Sequence, residues 1–221
     1  NGDTKAANAD YALALKRWET ADYPLEQSPV IAIRQGVLLS RLGDVDKSMA
    51  KFREAVQLSP DRRASYAEII SFLVVNERLS DAEEFYQLAF NQDMLAAMWK
   101  VYFSIWVDGL SRMKQGKPFD LALGYLENTP SESWQDKLAS FFIGTIDSQT
   151  LRREAFNKGQ LVEADYYEAL RLIIDGKQAQ ALPLLQKVID SRLFAFFEYR
   201  MASELLKKQK NSTPNDAVSA D

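Results

Sequence analysis

One pattern occurs twice between Pro29 and Met94, the second copy 34 residues after the first. Leu39 returns as Leu73, Val45 as Leu79, Ser48 as Ala82, Phe52 as Tyr86 and Ala55 as Ala89. Independent amphipathic helices would not hold a common phase, so the chain reads as a repeated unit. Within a copy the residues spell helix, turn, helix. Ser28-Pro29 starts the first helix, with a hydroxyl for the open amides and a proline whose missing N–H costs nothing in the first turn. Gly36 leaves room for a neighbouring helix. Gly43-Asp44 makes the turn, because glycine tolerates positive φ where a helix ends. The second helix runs to about Leu58, with Phe52 and Ala55 on one face, and Ser59-Pro60 stops it. In the second copy Tyr66, Ile69 and Leu73 share a face, Asn76-Glu77 replaces the glycine turn, and Ser80 with Glu83 forms a capping box.

This period, with small residues and aromatics at these places, resembles the tetratricopeptide repeat. The resemblance implies an all-α fold, a right-handed superhelix of helix pairs closed by a C-terminal capping helix, whose concave face holds other proteins or peptides. On this reading residues 1–8 are a flexible lead and residues 9–209 a helical repeat domain. Its repeats fall at about 29–62 and 63–96, an irregular stretch at 97–159, another repeat at 160–193 and the cap at 194–208. Residues 210–221 form a polar, disordered tail.

The segment before the first full copy carries Asp10, Tyr11, Ala14, Trp18 and Ala21 in phase with Asp44, Val45, Ser48, Phe52 and Ala55. It reads as a second helix without its partner. Either the terminal residues or a second molecule must then cover Trp18, which raises a homodimer. In the irregular stretch Trp99, Tyr102 and Trp106 keep a first-helix face, and the turn at Gly116-Lys117-Pro118 arrives about two helical turns late. A helix from about Phe119 to Glu127 follows. A short pair comes next: Trp134, Leu138, Phe141 and Phe142 up to Gly144, then a helix capped by Asp147 that carries Leu151 and Phe156. From Gln160 on, Ala169, Leu172, Gly176, Ala181 and Leu185 return to phase, with Pro183 inside a helix. The last helix carries Phe197, Met201 and Leu205 on one face.

Composition narrows the chemistry. With no cysteine the chain of 221 residues has no disulfide, thiolate site or cysteine nucleophile, and with no histidine it lacks the commonest general base and metal ligand. A net charge of −4 and a pI near 5.1 argue against nucleic acid. No apolar run approaches the ~20 residues of a membrane span. The start at Asn1 reads as a processed or excised product, from which any export signal would have been removed. Ser48 and Lys51 have the spacing of a penicillin-recognising nucleophile, but Ser48 occupies a small-residue repeat position and companion motifs are missing. Asp44 and Asp46 match the start of a calcium loop without its glycine and glutamate. Glu83, Glu84, Glu163 and Asp165 read as solvated helix faces. The expectation is therefore no enzyme, no cofactor and no metal.

The resemblance also places the concave surface. It implies Val30, Ile33, Val37, Ser40 and Arg41 in the first copy, and Ala64, Ala67, Ser71, Val74 and Val75 in the second. The surface is mostly apolar and lacks the lysines and asparagines with which chaperone-binding relatives grip a terminal carboxylate. It suits an amphipathic helix or an extended apolar segment, unless the chain's own C-terminal helices fill it.

A second resemblance is narrower. Trp134, Phe141-Phe142-Ile143-Gly144, Ile146, Gln149-Thr150-Leu151, Tyr166 or Tyr167, Gly176, Ala181, Phe197-Glu198-Tyr199-Arg200 and Ala202 are similar in order to bacterial outer-membrane repeat lipoproteins of the NlpI type. Members are lipid-anchored at an N-terminal cysteine, dimerise, and bring a periplasmic protease or peptidoglycan enzymes to their partners. The resemblance implies a non-catalytic adaptor at the outer membrane, on its periplasmic side, attached through an anchor outside this chain. The alternatives are a pilotin-like assembly factor for an outer-membrane complex and a cytoplasmic scaffold or co-chaperone.

Overall fold

The structure is a computed structural model that describes residues 2–19, 28–59, 63–130 and 132–212. All regular structure among them is helical: α1 Gly2–Glu19, α2 Pro29–Arg41, α3 Val45–Leu58, α4 Arg63–Val75, α5 Leu79–Phe90, α6 Ala97–Gln115, α7 Asp120–Glu127, α8 Trp134–Ile143, α9 Ser148–Glu154, α10 Lys158–Ile174, α11 Gln178–Asp190 and α12 Phe197–Ser212. They fall into two compact units, residues 1–72 with 84–95, and residues 73–83 with 96–221.

The sequence period is visible in the backbone. Both ends of α4 lie 34 residues after those of α2, and α5 starts 34 after α3. The intervening turns have one hydrogen-bond pattern. Asp44 N–H donates to Leu39 O and Arg78 N–H to Leu73 O, while Gly43 N–H donates to Ser40 O and Glu77 N–H to Val74 O. This pair of bonds satisfies carbonyls left open at a helix end and needs a left-handed residue after the helix. Gly43 takes it at φ 85°, and Glu77 takes it at φ 57° in spite of its Cβ. The turn after α8 at Gly144 and that after α10 at Gly176 repeat the pattern.

In the first unit, α2 and α3 pack through Gly36 and Phe52. A Cβ on Gly36 would stand 2.5 Å from Phe52 Cε1, so no larger residue fits. Phe52 meets Phe72 and Phe85 edge-on, at 5.6 and 6.3 Å between ring centres, an arrangement that ring quadrupoles favour. Ser48, Ala55, Ala82 and Ala89 are fully buried.

In the second unit α6 is long because its stop signal, Gly116 at φ 68°, comes late. Asp108, fully buried on α6, accepts hydrogen bonds from Phe119 N–H at 2.7 Å and Arg112 Nε at 2.6 Å. One carboxylate thus joins α6 to the start of α7. Helix α8 opens with a Ser133–Asp136 capping box, and Asp147 caps α9 through Thr150 N–H.

Five local expectations change. Helix α1 runs back to Gly2, so residues 2–8 are helical rather than a loose lead. Ser28 precedes α2, but its side chain makes no cap; Ile31 N–H and Ala32 N–H bond its carbonyl instead. Ser80 lies inside α5, which starts at Leu79, so it does not cap that helix. Phe156 lies beyond α9 and is 84% exposed. Helix α12 starts at Phe197, three residues later than expected, and extends to Ser212, into the stretch read as a tail. Ala21, Pro60 and residues 213–221 lie outside the described residues.

Candidate functional site: an apolar cleft with a charged mouth

Within the second unit lies a cleft of about 210 Å³. Its walls are Val74 and Val75 from the last turn of α4, Trp106, Leu110 and Met113 from α6, Tyr166 and Leu170 from α10, and Met201 and Leu205 from α12. The i, i+4 and i, i+7 spacings along α6 put Trp106, Leu110 and Met113 on one stripe. The same holds for Tyr166 and Leu170, and for Met201 and Leu205. Three helices thus present apolar faces to a space that no described residue fills.

The mouth is ionic. Glu77, held by the left-handed turn after α4, accepts from Lys114 Nζ of α6 at 2.9 Å and Lys208 Nζ of α12 at 2.7 Å. Hydrogen bonds from Lys208 and then Lys114 lower the Glu77 carboxyl to about 2. All three side chains remain substantially exposed, so the triad is worth little to stability.

Behind the cleft is a buried polar network. Trp106 Nε1 donates to the Tyr167 hydroxyl at 3.0 Å, which donates to Glu198 Oε1 at 2.8 Å. Tyr102 donates to Glu163 Oε1 at 2.5 Å, Trp134 Nε1 to Glu163 Oε2 at 2.7 Å, and Gln135 Nε2 to the Tyr102 hydroxyl at 3.0 Å. Glu163 and Glu198 are only 8% and 4% exposed. Burial raises the Glu198 carboxyl to about 7, and the Glu163 charge adds to the effect. Burial likewise raises Glu163, opposed by its bonds to Tyr102 and Trp134. Neutral tyrosine and indole donors satisfy both groups, so the network fixes the wall that Trp106 presents to the cleft. The reading of Glu163 as a solvated face is therefore corrected. Asp165, read the same way, pairs with Arg152.

The expected groove residues divide. Val74 and Val75 line the cleft. Ala67 is fully buried, and Ser71 is buried with its hydroxyl on Glu68 O. In the first unit Ile33 is buried, Val37 half-buried and Val30 exposed. The Arg41 guanidinium lies 5.3 Å over the Tyr11 ring of α1 and donates to its hydroxyl. On α1, Asp10, Leu13, Ala14, Arg17 and Trp18 border a shallow depression, with Leu13 49% exposed.

Sequence reasoning missed the share of the cleft contributed by α6, α10 and α12. The signal was present in their apolar stripes, but stripes do not say which faces leave a gap. Among the described residues no group of acidic side chains is placed to hold a metal, and no helix is long and apolar enough to cross a membrane. No family model matches the chain, and no curated protein matches it.

Proposed function

We propose that this chain is a tetratricopeptide-type repeat scaffold that grips a segment of another protein and performs no chemistry of its own. The recurrence of helix bounds and turn hydrogen bonds at 34 residues supports the repeat class. The observation that carries the binding reading is the cleft, an open apolar recess with an ionic rim. Recesses of that kind take anchor side chains from partner segments. The likeness in residue order to the NlpI-type lipoproteins supports an adaptor in the bacterial envelope, acting by raising the effective concentration of its partners.

The test is selection of a displayed peptide library on the pure protein, with and without Met113→Glu. Met113 is half-buried on the cleft wall, so the variant should fold and carry a charge into the recess. Enrichment of a common motif by the parent and its loss in the variant is the expected result. No enrichment, or the same motif from both, would remove the reading.

A further inference from the structure

Two adjacent features of the second unit point to the chemistry of the guest. The first is size. A space of about 210 Å³ is somewhat larger than the ~150 Å³ cavity that admits a benzene ring. It suits one bulky apolar side chain, not a whole amphipathic helix. Tyr166 is 1% exposed and borders the cleft.

The second feature is the rim. Two lysines meet one carboxylate there, on a chain of net charge −4. The carboxylate is unusual in its backbone. At the same place in the preceding turn stands Gly43, which takes positive φ without strain. A non-glycine residue there carries a cost of about 1 kcal/mol or more. Nothing in the turn's own hydrogen bonds requires a side chain, since Gly43 makes the same bonds. What the side chain adds is an anion on Lys114 and Lys208 at the edge of an apolar recess.

We propose that Glu77 is an internal stand-in for a partner's acidic group: the cleft takes one large apolar side chain from a protein segment, and an Asp or Glu beside it displaces Glu77 from Lys114 and Lys208. The guest is thus an acidic, apolar sequence within a chain. This rests on the scaffold reading above and names its ligand.

The experiment uses fluorescence anisotropy with a labelled, end-blocked peptide in which one leucine is flanked by aspartates in a glycine–serine background. Control peptides carry lysine for aspartate, or alanine for leucine. Each control should bind at least 10-fold more weakly than the acidic peptide, and affinity should fall with added salt. Glu77→Gly removes the carboxylate that both lysines bond and suits the turn, so it should tighten binding about 3- to 10-fold, whereas Lys114→Ala with Lys208→Ala should weaken it at least 10-fold. Circular dichroism and melting confirm that each variant is folded. An acidic peptide that fails to bind, equal binding of acidic and basic peptides, or a Glu77→Gly protein that binds no better would overturn the proposal. Binding that is lost in Met113→Glu but indifferent to peptide charge overturns this inference and leaves the scaffold reading standing. Indifference to Met113→Glu as well overturns both.

Discussion

The two units stabilise their helices by different means. In the first, Gly36 against Phe52, and Phe52 against Phe72 and Phe85, form a core of small and aromatic side chains. In the second, the helices are joined by directed bonds. Tyr102 reaches Glu163 and Trp106 reaches Tyr167, each 61 residues away, and Tyr167 reaches Glu198. An apolar interlock depends on shape and fails when volume is added. A buried polar network depends on every partner being present and on protonation. The first should therefore respond to size and ignore pH, and the second should do the reverse.

The largest effect should come from Gly36→Val. The new side chain has no space beside Phe52, and about 3 kcal/mol or more should be lost, read as a drop in melting temperature. Combining it with Phe52→Leu should recover part of that loss. If Gly36→Val alone is neutral, the close approach is not the device that joins α2 to α3. Ala55→Trp, at a fully buried site, should be comparably damaging.

Next is Tyr167→Phe. It leaves the Trp106 indole and the Glu198 carboxyl each short of a partner, at about 1–3 kcal/mol. The same network predicts pH dependence. Glu198 titrates near 7 in the folded protein and near 4.5 when unfolded. The native state therefore holds more protons between those values, so its stability is greatest below pH 4.5 and falls as pH rises through 7. The contribution is on the order of 3 kcal/mol. Glu198→Gln should flatten this limb of a stability-versus-pH curve. An unchanged slope would place the titrating group elsewhere.

Smaller still is Glu77→Gly. Loss of two solvent-exposed ion pairs and relief of left-handed strain oppose each other, so stability should move by less than about 1 kcal/mol. Its own pH effect has the opposite sign to that of Glu198. A carboxyl lowered to about 2 contributes above its ordinary pKa and loses that contribution as pH falls. Smallest is Phe156→Ser at an exposed site, within about 0.5 kcal/mol.

The contrast also explains what the sequence disclosed. The helices of the first copy, from Pro29 to Leu58, and the turn at Asn76-Glu77 were legible because the pattern recurs and its turn signals are local: Gly43, Asp44 and Asn76-Glu77. Gly116, Gly144 and Asp147 were legible for the same reason, since a cap is decided by a few consecutive residues. The surroundings of Glu163 and Glu198 were not. A glutamate on a helix looks solvated until a tyrosine and a tryptophan from other helices are known to face it. The cleft was legible only at Val74 and Val75, the part contributed by a regular repeat. Its other walls depend on how α6, α10 and α12 pack, which no short window encodes. The early end of the expected lead and the late start of α12 belong to helix termini, where weak local preferences decide.

The turn that holds Gly43 in one copy and Glu77 in the next makes identical backbone bonds in both. Two glycine codons become glutamate codons through a single base change. A recurring turn thus contains a site where heredity can switch a carboxylate on or off at the rim of the cleft while leaving the surrounding helices untouched. New recognition could arise there in one mutational step, ahead of any change to the framework.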